Sequence, residues 1–273
     1  MAASTQPIFV FDSTRLRSHL FFRYVSTHPA LAPIYHPFLT SAMFGPERIS
    51  LYFRHSDARE KEVRQQRADC PDTPATCRQA LTDAVAQAEK EGKIPFLNEH
   101  WFDVLKVDVV LELLRGGIPL DQPSALGTNP TYLADDFFHA LRPIVLIRHP
   151  AHSVRSIYES ALKATQQRPG DEDFELITTN KPIRILFDYF TAQGRQPIVV
   201  DGEDILWRTE EMSKALCAKL GLDPSGLSDK WTPTSKEEIE RMHPLLYMLT
   251  KNIHDSAGIE RPAEKVSACT SLA

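Results

Sequence analysis

Three arginines, two serines and a histidine, set in two short windows, carry the chemistry that can be read in this chain. The first window holds Arg15, Arg17, Ser18 and His19, within a stretch from Ser13 to Pro46 that contains no Asp or Glu. The second holds Arg148 and Ser156, with Arg142 and Arg155 beside them, in a stretch from Arg142 to Tyr158 that is equally free of acids. Guanidinium groups present forked N–H donors to phosphate or sulfate, and hydroxyls add further donors. The whole chain is acidic, with a formal charge of -5 over 273 residues. Two acid-free basic windows in such a chain point to one polyanion held from both sides. A solvated basic helix end is the plainer reading of either window alone; two equivalent windows argue against it.

Both windows fall where a strand should give way to a helix. Gln6 to Phe11, with IFVF at its centre, predicts a buried strand, Asp12 to Arg17 a turn, and Ser18 to Ser26 a helix. Pro143 to Ile147 predicts a second buried strand; His149-Pro150 stops it, and Pro150 suits the first turn of a helix. Arg148 then sits at a strand tip and Ser156 two turns into the helix. Unpaired N–H groups at helix N-termini favour anions, and open α/β sheets bind ligands beyond the carboxyl ends of their strands. Glycine is absent from residues 1 to 44 and nothing matches GxxxxGK[ST]. The usual nucleotide triphosphatase loop is therefore disfavoured, and side chains must supply the donors.

The remaining pattern builds a scaffold around these junctions. Further strands are expected at Ile94–Leu97 and Gln196–Val200. Helices are expected at 49–67, 75–92, 101–114, about 129–141, 174–192 with Pro182 as an interruption, 209–220 and 236–255; residues from Tyr35 to Phe38 read as irregular. Helices separating short apolar strands imply an α/β three-layer sandwich, a central parallel sheet flanked on both faces, in a single domain over residues 1–273. Hydrophobic content of 42% and charged content of 25% are those of a soluble globular protein. The negative charge argues against a nucleic-acid partner, and no apolar run approaches the length of a membrane helix. With no basic leader followed by an apolar core, the expected location is cytoplasmic. Cys70, Cys77, Cys217 and Cys269 form no CxxC pair, which disfavours a cysteine zinc site and leaves free thiols as the expectation.

In their order and spacing these motifs resemble the sulfotransferase family, enzymes that use 3'-phosphoadenosine 5'-phosphosulfate (PAPS) on a P-loop-like fold. Arg148 at the strand tip with Ser156 eight residues on matches the pair that the family uses on the 3'-phosphate. VVDGEDIL, followed by a helix containing CAKLGL, resembles the family's last strand and helix. Thr14-Arg15-Leu16-Arg17-Ser18-His19, then His36-Pro37-Phe38, Gly45-Pro46-Glu47-Arg48 and NPTYLADDFF, resemble a branch common in fungi. The likeness covers most of residues 7 to 222. His19 stands where the family loop has Thr, His36 where the branch has Glu, and Asn98 where many members have Lys. The first and third departures remove contacts to the 5'-phosphate and the bridging oxygen.

The resemblance implies transfer of a sulfuryl group to a hydroxyl or amine of a small molecule, a specialised metabolite being one such acceptor. Arg15, Arg17, Ser18 and His19 would then hold the 5' end of the donor, and Arg148 and Ser156 the 3'-phosphate. His100 would be the general base, since it occupies the place of the histidine in the family's K-x-H pattern; a helix-capping or packed histidine is the plainer alternative. Asn98 and the aromatic residues Phe38 and Trp101 (with Phe102 beside it) are candidates for an acceptor pocket, and equally for core packing. His36 and His152 read as structural or solvated. The reaction itself needs no metal. Two rivals remain open at this point: a phosphorylated or diphosphate substrate processed by His100 or His19 through elimination, cyclisation or hydrolysis, and a non-catalytic nucleotide-binding relic.

Overall fold

The computed structural model describes residues 6–47, 70–119, 121–164, 169, 172–242 and 244–261. At its centre is β1, Ile8–Asp12, buried at all of its positions. Successive strand residues face opposite sides of a sheet. Phe9 and Phe11 accordingly enter one core while Ile8 and Val10 enter the other. A strand covered on both faces has no solvent side to alternate with, which is why IFVF is a continuous apolar run.

Four more strands complete an all-parallel sheet of order β2-β3-β1-β4-β5: β2 Leu31–Tyr35, β3 Ile94–His100, β4 Arg142–Ile147 and β5 Ile198–Asp201. Between them run the helices α1 Ser18–Val25, α2 Leu39–Phe44, α3 Pro74–Lys90, α4 Trp101–Val104, α5 Val107–Leu114, α6 Asp135–Ala140, α7 Pro150–Ala164, α8 Glu172–Thr178 and α9 Lys181–Ala192. After β5 come α10 Asp204–Trp207, α11 Thr209–Leu220, α12 Lys236–Arg241 and α13 Pro244–Asp255. Residues of α3, α4, α5 and α9 pack on the Phe9 side of the sheet, and residues of α1 and α11 on the Ile8 side. The expected three-layer α/β architecture is thus present. The connection from β3 to β4 carries the chain from one side of β1 to the other, so the loops after β1 and β4 stand side by side at the carboxyl edge. That is the switch point at which open sheets bind ligands.

Several elements differ from their sequence pattern for identifiable reasons. β2 is a strand that the sequence pattern does not announce, and it takes in Tyr35, the first residue of the stretch read as irregular. It contains Pro33, which is tolerated because among the described residues β2 is the sheet's edge, paired only to β3. β3 does not stop at Leu97: Asn98, Glu99 and His100 continue the ladder to β1 although they are polar and buried. The expected helix over 101–114 breaks at Leu105, which bridges to Thr131, while the Lys106 N–H donates to the Pro130 carbonyl at 2.9 Å. Around 129–141 only Asp135–Ala140 is helical, because the Asn129 side chain ties up the preceding turn through Thr131 and Leu133. The expected helices 174–192 and 236–255 each divide in two, with Pro182 and Pro244 in the first turn of the second halves. The helix expected over 49–67 lies outside the described residues.

Gly202, just past β5, locks the first loop against the sheet. Its N–H donates to the Ile147 carbonyl at 2.8 Å, and a Cβ added to it would lie 2.1 Å from the Leu16 carbonyl oxygen. Gly202→Ala must push the loop away or strain it. The expected result is a loss of about 1–3 kcal/mol in urea unfolding. An unaltered midpoint would mean that the loop does not press on Gly202.

Candidate active site

The loop between β1 and α1 is held in a conformation that glycine usually supplies. Arg15 (φ 62°) and Arg17 (φ 65°) both adopt left-handed backbone angles, at a cost of about 1–3 kcal/mol each. Leu16 between them is 1% exposed and anchors the loop in the core. The Thr14 hydroxyl donates to the Ile177 carbonyl at 2.7 Å and adds a second anchor. With the leucine inside, the flanking arginines face a cavity of about 370 Å³.

Arg15, Arg17, Ser18, His19, Arg148 and Ser156 all line this cavity. Arg17 is the N-cap of α1, whose first turn carries no acid and whose cap makes no side-chain hydrogen bond. The N–H groups of the following residues, Ser18 to Leu20, belong to the helix start, where intrahelical partners are lacking. They add to the guanidinium groups as anion donors. Arg15 Nε donates to Ser156 Oγ at 2.9 Å, and Arg148 Nη1 donates to the Arg15 carbonyl at 2.9 Å. The two windows that the sequence separates by more than a hundred residues are therefore one site.

Glu203 organises that site, and nothing in the motif spacing singled it out. Its carboxylate accepts from Arg148 Nε at 2.6 Å and from Arg17 Nε and Nη2 at 3.1 and 3.2 Å. Burial alone would raise its pKa; the hydrogen bonds and charges of Arg17 and Arg148 outweigh that and hold it at about 2. Burial and the charges of Arg148 and Arg17 lower the pKa of Arg15. Two guanidinium groups, those of Arg17 and Arg148, thus face Glu203, while Arg15 and Glu260 also line the cavity. Guanidinium groups and a helix start directed at one cavity are the donors that an anion would need. Thr250, Asn252, Ile253, Ser256 and Gly258 form the opposite wall, so the last part of the described chain, from which the sequence reading took little, closes the site.

Beside the cavity lies a second cluster, at the tips of β1, β2 and β3. Asp12 and His100 are register partners on β1 and β3, and Asp12 Oδ1 lies 2.6 Å from His100 Nδ1. Asp12 also accepts from Asn98 Nδ2 at 3.3 Å. His36, just beyond β2 and at φ 44°, places Nδ1 2.6 Å from Glu99 Oε1, while Glu99 Oε2 accepts the Phe38 N–H at 2.8 Å. His19 Nδ1 is hydrogen-bonded to the Tyr35 hydroxyl. Ring centroids separate His36 from His100 by 4.7 Å, His19 from His36 by 5.3 Å and His19 from His100 by 6.0 Å.

Burial and charge divide these groups. Burial would lower His100, but the Asp12 carboxylate overrides it and raises His100 to about 9. In turn His100 holds Asp12 below the usual carboxylate range despite burial. Burial, then the neighbouring imidazoles, push His19 well down, and burial with His100 takes His36 to about 3. Burial raises Glu99 to about 8, and burial with the charge of Glu99 takes Asp103 well above the carboxylate range.

The other candidates fall outside the cavity. Phe38 and Trp101 are fully buried in the core on the Phe9 side, and neither lines the cavity. Asn98 is fully buried; its Nδ2 donates to Asp12 and the Val10 carbonyl, while its Oδ1 has no hydrogen-bond partner among the described residues. His100 is 8% exposed and touches the cavity only through its neighbour His19. His36, which the sequence reading set aside, belongs to the cluster. Cys70, Cys77 and Cys217 are unbridged. Among the described residues no helix is long and apolar enough to cross a membrane.

No family model matches the chain. Over 219 residues, 71% of this chain and 64% of the relative, it is 27% identical to a protein named sulfotransferase ppzF from Metarhizium majus. Its namesake in Metarhizium rileyi is 26% identical over the same shares. Among solved structures, the sulfotransferase domain of the Synechococcus PCC 7002 olefin synthase aligns with 94% of this chain and 90% of its own, at 14% identity and a TM-score of 0.41. Both curated relatives are thus fungal proteins named sulfotransferase. The chain spans about 64% of the length of the curated relatives it matches.

The Glu203 clamp has a pH signature. A carboxyl lowered in the folded state contributes stability that is present above its unfolded pKa and lost as pH falls through its folded pKa. For Glu203 the window runs from about 4.5 down to about 2. Glu203→Gln should flatten the part of the acid-unfolding profile that belongs to this window. An identical profile in the variant would show that the clamp contributes nothing.

Proposed function

We propose that the chain catalyses transfer of a sulfuryl group from PAPS to a hydroxyl or amine of a small molecule. The observation that carries the reading is the convergence of Arg15, Arg17, Arg148 and Ser156 with the start of α1 on one cavity. The sulfotransferase relatives support the same class of reaction. Sulfuryl transfer asks a protein mainly to position two groups in line and to neutralise charge on nonbridging oxygens, as phosphoryl transfer does. Guanidinium forks and helix N–H groups do both. The O–S bond to the nucleotide breaks as the bond from acceptor oxygen or nitrogen to sulfur forms, and 3',5'-phosphoadenosine leaves with the electron pair.

The acceptor's proton needs a base. His100 is the first candidate: Asp12 fixes the proton on Nδ1 and leaves Nε2 to face the reaction, the role of the orienting carboxylate in a triad. Asp12 also favours the imidazolium, which must lose a proton before it can act as a base. His19 is the second candidate, because it is on the cavity wall and burial keeps it neutral.

The nucleotide site is tested by thermal unfolding with 3',5'-phosphoadenosine. A ligand at a hundredfold its Kd should stabilise by about 2.7 kcal/mol, and Arg148→Ala should abolish the shift. No shift in a cooperatively unfolding protein would reject PAPS and turn the search to phosphorylated and diphosphate substrates. With an acceptor found, His100→Gln should lower kcat by about 10²–10⁴-fold while nucleotide binding persists. If only His19→Gln does so, the base is His19.

A further inference from the structure

We propose that His19, His36 and His100 together bind a divalent transition metal, zinc or a cation of similar preference, through their Nε2 atoms. Candidate ligand atoms of the three imidazoles lie within 4.8 Å of one another. A tetrahedral zinc holds nitrogens at about 2.0–2.1 Å, hence about 3.3 Å apart, so side-chain adjustments of an ångström or so close the site. The three rings come from the ends of three neighbouring strands: His100 ends β3, His36 follows β2, and His19 opens α1 after β1.

The hydrogen bonding selects the ligand atoms. Every one of the three rings is engaged at Nδ1: His100 by Asp12, His36 by Glu99 and His19 by the Tyr35 hydroxyl. Metal-binding histidines are oriented in this way, by a carboxylate or another oxygen on the distal nitrogen. What remains is Nε2. On His36, whose side chain is 2% exposed, Nε2 is buried and has no hydrogen-bond partner. Leaving a buried polar nitrogen unpaired is costly; coordination would satisfy it. Among the described residues no hydrogen bond engages Nε2 of His19 or His100 either.

Charge supplies an independent argument. Asp12, Glu99 and Asp103 are at most 2% exposed. Among the described residues none of them forms an ion pair with lysine or arginine, and their basic neighbours are these imidazoles. A doubly charged cation at the centre would neutralise carboxylates that burial otherwise disfavours. Once the cation displaces the Nε2 proton of His100, three imidazole ligands leave a fourth position open, as in catalytic rather than structural zinc sites. Because His19 also lines the arginine cavity, that position adjoins the anion receptor. A cation there would lower the pKa of a bound water or acceptor hydroxyl and so take over the task assigned above to an imidazole base.

The proposal goes beyond sulfuryl transfer and is tested without it. The purified full chain is stripped with chelator and titrated with Co²⁺, read by its visible d–d absorption, and with Zn²⁺, read by displacement of cobalt and by calorimetry. The expected result is one equivalent of cobalt in a tetrahedral spectrum, displaced by zinc. His36→Gln should weaken binding at least a hundredfold, and Glu99→Gln about 10–100-fold. Arg148→Ala should leave the cobalt spectrum intact while losing the nucleotide shift, which separates failure of one site from failure of the other. If the wild-type chain gives no tetrahedral cobalt spectrum, or binding is equal in folded His36→Gln, the metal site does not exist. Should His36→Gln not fold, the wild-type cobalt and zinc titrations decide alone.

Discussion

A carboxylate with no exposure at the end of the central strand is the constraint on which this architecture turns. Asp12 closes β1 inside the protein, and a buried carboxylate must be paired or it will take up a proton. The parallel register places His100 directly opposite on β3. For that pairing β3 must run on past its apolar residues, so Asn98, Glu99 and His100 are drawn into the sheet. Each polar residue that this buries then needs its own partner. Glu99 finds His36 and the Phe38 N–H, and Asn98 finds Asp12. The left-handed backbone at His36 is a consequence: the chain leaving β2 must turn at once for its imidazole to reach Glu99.

The arginine cavity obeys a complementary constraint. Without glycine in the first loop, two arginines are held in left-handed conformations, and that strain has to be offset by contacts elsewhere. Glu203 provides them by clamping Arg17 and Arg148 from the far side of the switch point. The space glycine would have given the first loop is instead found at Gly202, where the Leu16 carbonyl approaches too closely for any side chain. Loop and clamp are thus two halves of one device. The arginines remain poised because a carboxylate already holds them, and an incoming anion need not order them from a mobile state.

The sheet and the residues of the arginine cavity are legible in the sequence because both are written locally. A run such as IFVF, a proline after a strand, and acid-free windows each depend on neighbours along the chain. Arg15, Arg17, Ser18, His19, Arg148 and Ser156 could be grouped for that reason, and the cavity unites them. What stayed hidden is set by pairing across the sheet. Asp12 looked like the first residue of a turn, and Asn98-Glu99-His100 like loop, because polar residues are read as exposed; register shows them buried. His36 carried no local signal, since its partner Glu99 is 63 residues away. Glu203 lies in the recognisable VVDGEDIL segment, yet its role depends on Arg17, 186 residues earlier. Phe38 and Trp101, read from the sequence as either acceptor-pocket or core residues, lie buried in the cluster on the Phe9 side of the sheet.

His19 links the two halves of the site. It stands on the cavity wall with the arginines and in the cluster with His36 and His100. A threonine in its place would offer the anion one more hydroxyl and would leave His36 and His100 without a third imidazole. The change from hydroxyl to imidazole therefore removes an anion donor and adds a ligand or proton carrier at the boundary of both clusters. Asn98 alters the balance in the same direction. A lysine there would bring a cation against Asp12; the neutral amide leaves Asp12 to His100, as the hydrogen bonds show. Together the two positions take cationic and hydroxyl donors away from the anion side and strengthen the carboxylate–imidazole side. An imidazole and a neutral amide at these two positions thus leave the carboxylate–imidazole cluster intact beside the arginine cavity, with His19 common to both.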